Sequence, residues 1–490
     1  MSDRPLFRRF LPLIAVLGGL LALFALPIAR ERLVSAVDLH PESGWSVVEP
    51  PSSLFCAPFV DFARYFSKRA DNPAAAFASW FGWAFLALLL ADEISRRRQP
   101  PAARSGRFAG ALRQLRRAAF AMGLLLAALV LIRWPAMKPV APSADWLIAD
   151  LHTHSHHSWD SMTSAEQLLR FHEDFGFDAF AVTDHDSLEG ARETEALSAS
   201  RGGPVVLPGS EIRGWPSAHY LFIGLQEPVD GKGFRENPKA AVAAARRQGA
   251  AVILSKWWTK TDVGLRAAVD YPLAGLEVYN LAYGLPSAEK RDLLIAASRR
   301  FHLPLYASND WHGLGYFNTS WNAFFIPGWK SLSRDDLRST LLAKIREREM
   351  STRPLLYGRR EYRGATRAVF EPFFGIAYLV GGMEPGRFLA TLLWVALLSA
   401  GWIAAGVGRR ARRARGAIFE GAVAGFGLFV LVRSAAVLVA AHALKGFGPD
   451  GNGPYYLLGA FGLYVAVRGG LRLARLRTPE APAPGGGSGA

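Results

Sequence analysis

Long apolar runs dominate both ends of the chain. They occur at about 11–29, 74–91, 118–134, 388–408, 417–440 and 454–468. A helix needs about 20 apolar residues, within a range of roughly 17–25, to cross the hydrocarbon core of a bilayer. The first five runs reach this range and the last is slightly short. Because backbone in lipid must satisfy its own hydrogen bonds, the pattern predicts six transmembrane helices.

The middle of the chain carries short apolar runs instead, each followed by polar residues. Strand-like runs end near residues 149, 183, 207, 254 and 308, and helix-like stretches occupy 164–175, 188–200, 237–248 and 286–300. Strands that alternate with helices predict parallel β/α units. Functional side chains in such folds gather at the carboxyl ends of the strands.

These patterns predict four regions. Residues 1–143 form a membrane region with three spans, 144–357 form an α/β domain, 358–477 form a second membrane region with three spans, and 478–490 form a disordered Pro/Gly/Ser tail. The run at about 370–383 is interpreted as an interfacial helix, the alternative being a seventh span. The first run could be a signal peptide, but Pro27-Ile28-Ala29 is a poor cleavage site and favours an uncleaved helix.

Arginines indicate the orientation of the spans. The linker 92–117 holds eight arginines and the loop 409–416 holds five. Since short Arg-rich loops stay in the cytoplasm, both termini are predicted inside and the middle domain on the extracytoplasmic face of the cell (inner) membrane. Four further arginines argue mildly against this orientation: Arg359, Arg360, Arg363 and Arg367.

The chain has a net charge of +16, and the lipid bilayer, with its anionic lipids, is the simplest binding partner for these positive charges. Such a charge is also typical of nucleic-acid binding, but much of the excess flanks the predicted spans, so a nucleic-acid partner is not favoured. The single cysteine, Cys56, lies in the predicted external loop 30–73 and cannot form an intrachain disulfide.

Histidines and carboxylates follow the strand-like runs of the middle region. His152 and His154 come first, and residues two apart on a strand share a face. Imidazole and carboxylate are the ligands of Zn²⁺, Mn²⁺ and Fe²⁺. The set continues with Asp160, His185, Glu211, His219, Asp310 and His312. His156 and His157 are either groups that orient ligands or polar loop residues, and His172 and His302 are interpreted as ordinary histidines.

Four motifs occur in the order of a known family: Asp150-Leu-His-Thr-His-Ser155, Thr183-Asp-His-Asp186, Pro208-Gly-Ser-Glu211 and Ser308-Asn-Asp-Trp-His312. Over roughly residues 145–357 the chain resembles the polymerase and histidinol phosphatase (PHP) family of metal-dependent phosphoesterases. The resemblance implies a distorted (β/α)7-type barrel, here inserted between two sets of three transmembrane helices. It also implies two or three divalent ions, with zinc, manganese and iron equally suitable.

The resemblance implies a ligand set for each ion. His152, His154, Glu211 and Asp310 would hold one, and Asp160, His185 and His312 would hold another. Glu211 would bridge to a third ion that His219 also binds. The strand 275–280, which contains Glu277, resembles a structural strand of the family.

The chain departs from the family at Ser255, where the third site usually has a histidine. A neutral serine is a poor ligand for these ions. One hypothesis is that the Lys256 ammonium compensates by stabilising phosphate charge. The alternative is that Lys256 is a surface residue and the site holds two ions or is impaired.

The implied reaction is hydrolysis of a phosphomonoester or phosphodiester by a metal-bound hydroxide. Three residues are the candidate catalytic groups: Lys256, and His219 or His312 as the proton donor to the leaving group. Candidate phosphate contacts are Arg213, Lys256 and Lys260, and candidate pocket aromatics are Trp215, Trp257, Trp258 and Trp311. The substrate would be a phosphorylated small molecule, a lipid-linked phosphate or a nucleotide.

Two other functions stay open at this stage. A catalytically impaired PHP domain could act as a metal-binding sensor or scaffold at the membrane, which Ser255 motivates. A transporter or transferase would instead place its function in the spans, where Arg433 is the one conspicuous charge. Arg433 is either a functional group within the fifth span or a side chain that reaches the external interface.

Overall fold

The computed structural model describes residues 6–28, 32–67, 73–98, 100, 106–213, 219–231, 237–259, 265, 269, 271–358, 369–404, 409–445 and 453–477. The chain divides into two compact units. One unit is Ala22–Ala390, and the other combines Met1–Leu21 with Thr391–Ala490. The first unit contains every strand and every predicted site residue.

Twelve strands lie in the described part of the first unit. They are β1 (Arg32–Ser35), β2 (Ser46–Val48), β3 (Lys138–Val140), β4 (Trp146–Asp150), β5 (Ala179–Val182), β6 (Val205–Arg213), β7 (His219–Ile223), β8 (Ala251–Ser255), β9 (Gly275–Asn280), β10 (Leu305–Ser308), β11 (Ser320–Phe325) and β12 (Arg353–Gly358). Ten of them form one curled sheet in the order β1-β12-β11-β4-β5-β6-β7-β8-β9-β10, while β2 pairs with β3.

The described helices cover both units. They are α1 (Leu6–Phe24), α2 (Pro51–Phe55), α3 (Ala57–Ser67), α4 (Pro73–Arg97), α5 (Arg107–Leu131), α6 (Ala165–Asp174), α7 (Glu189–Arg201), α8 (Pro238–Arg247), α9 (Ala288–Phe301), α10 (Arg334–Arg346), α11 (Glu371–Gly381), α12 (Pro385–Ala404), α13 (Arg409–Lys445) and α14 (Gly453–Arg477). The helix α6 begins at a capping box of Ser164 and Gln167.

The predicted α/β class is confirmed, and its parallel character is confirmed in part. Strands β4, β5 and β6 are parallel neighbours, as are β8, β9 and β10. Between them, β7 runs antiparallel to both β6 and β8. Residues 214–218 alone connect β6 to β7, and a parallel crossover needs a dozen or more residues, so only a hairpin is feasible there.

Both faces of the central strands are covered. Every residue of β5, β8, β9 and β10 is buried. This explains why these strands show as continuous apolar runs instead of an alternating pattern. Helix α6 packs Leu168, Leu169 and Phe171 against the core on one side of the sheet. The covered sheet gives the carboxyl ends of the strands a rigid base.

The first unit recruits residues from outside the predicted 144–357 domain. Strand β1 pairs antiparallel with β12 and buries Leu33 and Val34. Strand β3 pairs with β2 before β4 begins. The loop 30–73, interpreted from the sequence as a connection, therefore supplies an edge of the sheet.

Four described helices are long and apolar enough to cross a membrane: Ala76–Arg97, Phe108–Leu131, Ala417–Val439 and Tyr455–Ala474. Two shorter apolar segments, Leu13–Phe24 and Pro385–Gly401, coincide with the first and fourth predicted spans. The arrangement of three spans on each side of the domain stays a prediction. Helix α11 lies where the interfacial helix was expected.

One feature of the second unit differs from the expectation. Residues 409–416 were predicted to be a loop, but α13 begins at Arg409 and continues without a break to Lys445. The run consists mainly of Arg and Ala, which are strong helix formers, so the helix extends beyond its apolar segment. Arg433 lies on this helix with its side chain exposed. The four arginines of 359–367 and the tail after 477 lie outside the described residues.

Candidate metal centre

The ends of three strands bring four ligand-type side chains together. His152 and His154 follow β4, Glu211 lies near the end of β6, and Asp310 follows β10. All four side chains are buried, and their ligand atoms lie within 4.8 Å of one another. This is the first ligand set that the resemblance implies, and the structure assembles it from three separate parts of the sequence.

The imidazoles and carboxylates converge on one point. His152 Nε2 lies 3.1 Å from both Glu211 Oε2 and Asp310 Oδ1. His154 Nε2 lies 3.2 Å and 3.1 Å from the same two oxygens. Ligands of a tetrahedral zinc ion, with bonds of about 2.0–2.1 Å, are separated by roughly 3.3 Å. The four atoms therefore have the spacing of ligands that share an ion.

Two buried atoms of this cluster, Asp310 Oδ1 and His154 Nδ1, form no hydrogen bond of normal geometry within the described part of the chain, although two imidazole nitrogens lie 3.1 Å from Asp310 Oδ1. Buried polar atoms without a partner are rare in folded proteins, and a bound ion can satisfy such an atom. The donor set of imidazole and carboxylate also fits a divalent transition metal. On both counts these residues fit the ions that the family implies.

Three imidazoles are oriented through their second nitrogen. His152 Nδ1 lies 2.9 Å from Glu277 Oε1, and His185 Nδ1 lies 3.0 Å from the Glu211 backbone oxygen. His312 Nδ1 lies 2.7 Å from the Asp310 backbone oxygen. Donation from Nδ1 leaves Nε2 as the ligand atom, which is the usual arrangement around metal-binding histidines. Glu277, interpreted from the sequence as part of a structural strand, is thus a buried carboxylate that orients His152.

The second implied ligand set lies beside the first. Asp160 Oδ2 is 3.3 Å from His185 Nε2 and 3.2 Å from His312 Nε2. His185 Nε2 is also 3.7 Å from Glu211 Oε2. The ligand atoms of His154, Asp160 and His185 all lie within 4.8 Å of one another. Glu211 Oε2 therefore faces both groups, as a carboxylate between two neighbouring ions would.

Lys256 lies inside the cluster. Its side chain is only 6 % exposed, and Nζ is 2.7 Å from Glu211 Oε1 and 3.1 Å from Asp310 Oδ2. This position excludes the alternative that Lys256 is a surface residue. The backbone reaches it through a left-handed conformation with φ of +50°, which is uncommon for a residue other than glycine. Ser255, just before it, donates to Glu277 Oε2 at 2.7 Å.

His219 shares an oxygen with Lys256. Its Nδ1 lies 2.6 Å from Glu211 Oε1, and its side chain is partly exposed. Burial lowers the pKa of His219 against the opposing attraction of Glu211, and the nearby charges of Lys256 and Arg213 lower it further. The structure thus brings together all of the predicted ligand and catalytic residues.

The cluster holds opposite charges at close range. Burial disfavours the charged form of each group, but the attraction of the neighbouring opposite charges outweighs the effect of burial. The pKa of His152 is raised well above its usual value by Asp310, Glu211 and Glu277. The pKa of Glu211 is held well below its usual value by Lys256 and the neighbouring imidazoles, and that of Asp310 is likewise held low. Both carboxylates are therefore anionic and available as ligands.

A cleft opens beside the second ligand set. It is lined by Trp159, His185, Asp186, Glu211, Ile212, Arg213 and Gly231. Trp159 is 52 % exposed and stacks on the His185 ring with centroids 5.6 Å apart. The Arg213 guanidinium lies 5.6 Å from the Trp159 ring centre. Trp159 was missed from the sequence, although its place directly before Asp160 was a usable signal.

The predicted pocket aromatics lie elsewhere. Trp257 and Trp258 are buried in the hydrophobic core. Trp311 is buried too, and its ring stacks on Phe171 with centroids 4.0 Å apart. Trp215 and Lys260 lie outside the described residues. His172, interpreted as an ordinary histidine, is fully buried, with Nε2 3.3 Å from Asp150 Oδ2.

The chain was compared with curated proteins, solved structures and protein families. No curated protein matches the chain. A solved structure described as a putative metal-dependent phosphoesterase from Bifidobacterium adolescentis is 19% identical over 40% of this chain and 96% of its own, with a TM-score of 0.31. An amidohydrolase from Chromobacterium violaceum, solved with bound sulfate and no metal, is 17% identical over 37% of this chain and 92% of its own, with a TM-score of 0.27.

A third solved structure, PsfC from Pseudomonas syringae, is 16% identical over 49% of this chain and all of its own, with a TM-score of 0.29. The family profile described as the PHP domain matches residues 150–310. That stretch contains every predicted ligand except His312, and it spans β4 to the end of β10. Residues 150–310 of this chain are therefore a PHP domain.

Proposed function

We propose that this protein is a membrane-anchored, metal-dependent phosphoesterase that hydrolyses a phosphomonoester or phosphodiester. The observation that carries the proposal is the buried convergence of His152, His154, Glu211 and Asp310. Burying a polar atom without a partner is costly because the atom loses its hydration, and Asp310 Oδ1 is such an atom on the side of the cluster away from Lys256. The PHP domain at 150–310 supports the same conclusion.

The two neighbouring sets of side chains described above are the proposed ligands of two ions. His152, His154, Glu211 and Asp310 would hold one ion, and Asp160, His185 and His312 would hold a second, with Glu211 between them. Divalent ions in such sites polarise the phosphoryl group and lower the pKa of a bound water. The identity of the metal, whether zinc, manganese or iron, is left open by these ligands.

Lys256 has a charge-stabilising role in this proposal. Phosphoryl transfer needs neutralisation of negative charge more than covalent help. The ammonium lies against both ligand carboxylates, so it is next to the place where a phosphoryl oxygen must approach. It would donate a hydrogen bond to that oxygen. His219 is the proposed proton donor to the leaving oxygen, because it lies at the partly exposed side of the cluster and is a ligand of neither of these two ions. His312, the other candidate, would be engaged as a ligand of the second ion.

The membrane part of the proposal rests on the sequence and on the apolar helices. The protein would be a multi-pass protein of the cell (inner) membrane with both termini in the cytoplasm and the PHP domain outside. The substrate would then be an extracytoplasmic phosphate, namely a small phosphorylated molecule, a lipid-linked phosphate or a nucleotide. A tethered enzyme meets a lipid-linked substrate at a raised effective concentration.

Ser255 favours a second candidate, a metal-binding sensor or scaffold without turnover. Its hydroxyl is engaged by Glu277 and offers no ligand to a third ion. This candidate predicts bound metal and no hydrolysis of any phosphate ester.

The proposal is tested with the full chain in detergent micelles. The protein is stripped with a chelator, reloaded with Zn²⁺ or Mn²⁺, and assayed on an aryl phosphomonoester and an aryl phosphodiester. We expect turnover that requires added metal and that falls by about 100-fold or more in His152→Ala, since loss of a ligand costs at least as much as loss of its orienting partner. His302→Asn is the matched control, because His302 is an exposed residue at the end of α9, is not a predicted ligand, and has a left-handed backbone conformation that asparagine tolerates.

Turnover that survives both the chelator and His152→Ala would contradict the proposal. Metal bound by wild type and lost from His152→Ala, with no turnover in either protein, would favour the sensor.

A further inference from the structure

A third group of ligand-type side chains lies outside both proposed ion positions. It consists of His156, His157 and Glu193, whose ligand atoms lie within 4.8 Å of one another. His157 Nε2 is 3.2 Å and His156 Nε2 is 3.7 Å from the same oxygen, Glu193 Oε2. These separations bracket the roughly 3.3 Å expected between ligands of a tetrahedral ion. Neither the ligand sets implied by the family nor the proposed mechanism uses these residues.

The turn that carries the two histidines is firmly held. The backbone N–H of Ser155 donates to Asp184 Oδ1 at 2.5 Å, and the N–H of His156 donates to the Thr163 oxygen at 2.8 Å. The N–H of His157 donates to Ser155 Oγ at 3.1 Å. The backbone that carries both imidazoles is therefore held in place next to His154.

A glycine brings the third side chain into range. A Cβ at Gly190 would lie 1.9 Å from Ser155 Oγ and 2.1 Å from Asp184 Oδ2. Only glycine lets the first turn of α7 lie directly against the His156–His157 turn. Glu193 is three residues further along α7, on the same face of the helix. The close approach at Gly190 thus places Glu193 over the two imidazoles.

The charges also suit a cation. Two neutral imidazoles and one carboxylate give a net charge of −1, and the two histidines are the ion-pair partners that Glu193 has among the described residues. Two histidines and a glutamate form one of the zinc-binding sets found in proteins, and they leave a fourth position open to solvent. The group is more exposed than the buried cluster, with Glu193 at 47 % side-chain exposure.

We propose that His156, His157 and Glu193 bind one divalent transition-metal ion of the zinc type, separate from the ions of the buried cluster. The ion joins the 155–161 turn to helix α7. That turn also carries Trp159 and Asp160, and Ser158 within it donates to Asp160 Oδ1 at 2.7 Å. Occupancy of the outer site therefore stabilises the segment that presents Asp160 to the buried cluster.

The test counts ions on the full chain in detergent. The protein is stripped with a chelator, saturated with Zn²⁺, passed through a desalting column and analysed for zinc per chain. His157→Asn combined with Glu193→Gln removes two of the three ligands at partly exposed positions, so folding is retained. We expect one zinc ion fewer per chain than in wild type, and no change in the matched control His302→Asn.

A second variant separates this site from the buried cluster. His152→Ala removes a ligand of the buried group only, so it should lose zinc there and keep the outer ion. Cobalt substitution gives an independent readout, because the visible absorption of Co²⁺ at the outer site should persist in His152→Ala and vanish from the double variant.

Two outcomes would overturn the inference. Equal zinc content in wild type and in the double variant would show that these three residues hold no ion. Loss of all zinc from the double variant would show that they support the buried cluster and form no separate site.

Discussion

At the scale of single residues, the most informative feature is that the two oxygens of each buried carboxylate, Glu211 and Asp310, face different groups. Glu211 turns Oε2 to the imidazoles of the two proposed ion positions, and it turns Oε1 to Lys256 and His219. Asp310 likewise turns Oδ1 to imidazoles and Oδ2 to Lys256. Each carboxylate therefore serves a proposed ion on one side and an ammonium on the other. The buried cation next to the ions is supplied by the chain itself.

Lys256→Met tests this arrangement. The substitution removes the ammonium but no ligand, so we expect turnover to fall by about 100- to 1,000-fold, the range seen when a charge-stabilising donor is removed. Metal content should stay the same or rise, since a competing positive charge is lost. Parallel measurements of kcat and of ions per chain check both parts. Wild-type kcat in this variant would show that Lys256 has no role in the reaction.

The sequence indicated which candidate ligands come together better than it indicated their surroundings. The candidate ligands fall in short motifs at strand ends, and the structure brings His152, His154, Glu211 and Asp310 within 4.8 Å of one another. The role of Glu277 depends on β9 reaching His152, which follows β4 over one hundred positions earlier in the chain. No local pattern records such a contact. The prediction that Trp257 and Trp258 line the pocket is wrong for the same reason. An aromatic residue close to a ligand in sequence can still point into the core.

At the scale of elements, the sequence predicted the strands of the domain but not all of their partners. Apolar runs identified β4, β5, β6, β8 and β10, since these strands are buried along nearly all of their length, while the resemblance indicated β9. They did not reveal that β7 reverses direction, which depends on the short 214–218 connection. Nor did they reveal β1, a strand of four residues whose pairing with β12 spans more than three hundred positions. Short edge strands have too few residues to show a period.

The contact between β4 and β5 makes stability depend on pH. Asp178, just before β5, accepts a hydrogen bond from the Ile148 N–H of β4 at 2.8 Å. Burial raises the pKa of Asp178 from 3.8 to about 6. Because the folded-state pKa is the higher one, the protonated form stabilises the fold. This stabilisation is complete below the unfolded value and is lost as the pH rises through about 6.

The Asp178→Asn variant should lack this dependence. Between pH 4 and pH 7, the wild-type free energy of unfolding should fall relative to the variant by at most about 3 kcal/mol, from about two pKa units at 1.36 kcal/mol each. Thermal melts across this pH range, compared between the two proteins, measure the difference. Glu227→Gln, at an exposed carboxylate, is the control. Identical pH profiles for wild type and Asp178→Asn would contradict the assignment.

At the scale of the whole molecule, the arginine distribution defines the proposed orientation. The linker 92–117 and the start of α13 hold the largest numbers of arginines next to predicted spans, eight and five. The helical state of residues 409–416 does not alter the argument, since the rule concerns charge near span ends and not loop conformation. The PHP domain lies in sequence between these clusters, with an odd number of predicted spans separating it from each.

Cys56 gives a direct test, because it is the only cysteine in the chain and is partly exposed. A membrane-impermeant maleimide applied to intact cells should label Cys56 if the segment before α4 is external. A second protein, Cys56→Ser with Ala411→Cys, should be labelled only after the membrane is permeabilised. The reverse pattern of labelling would place the PHP domain in the cytoplasm.

The pairing of β1 with β12 bears on any attempt to separate the PHP domain from its membrane helices. A fragment that begins after α5 would leave Arg353–Gly358 as an open edge, with Leu355 and Leu356 no longer shielded. Open edges of this kind recruit strands from other copies, so such a fragment should self-associate. A synthetic peptide with the β1 sequence should suppress this by donor-strand complementation. In the intact chain the complementing strand precedes two predicted spans, so the domain closes on a segment that was synthesised before those helices entered the bilayer.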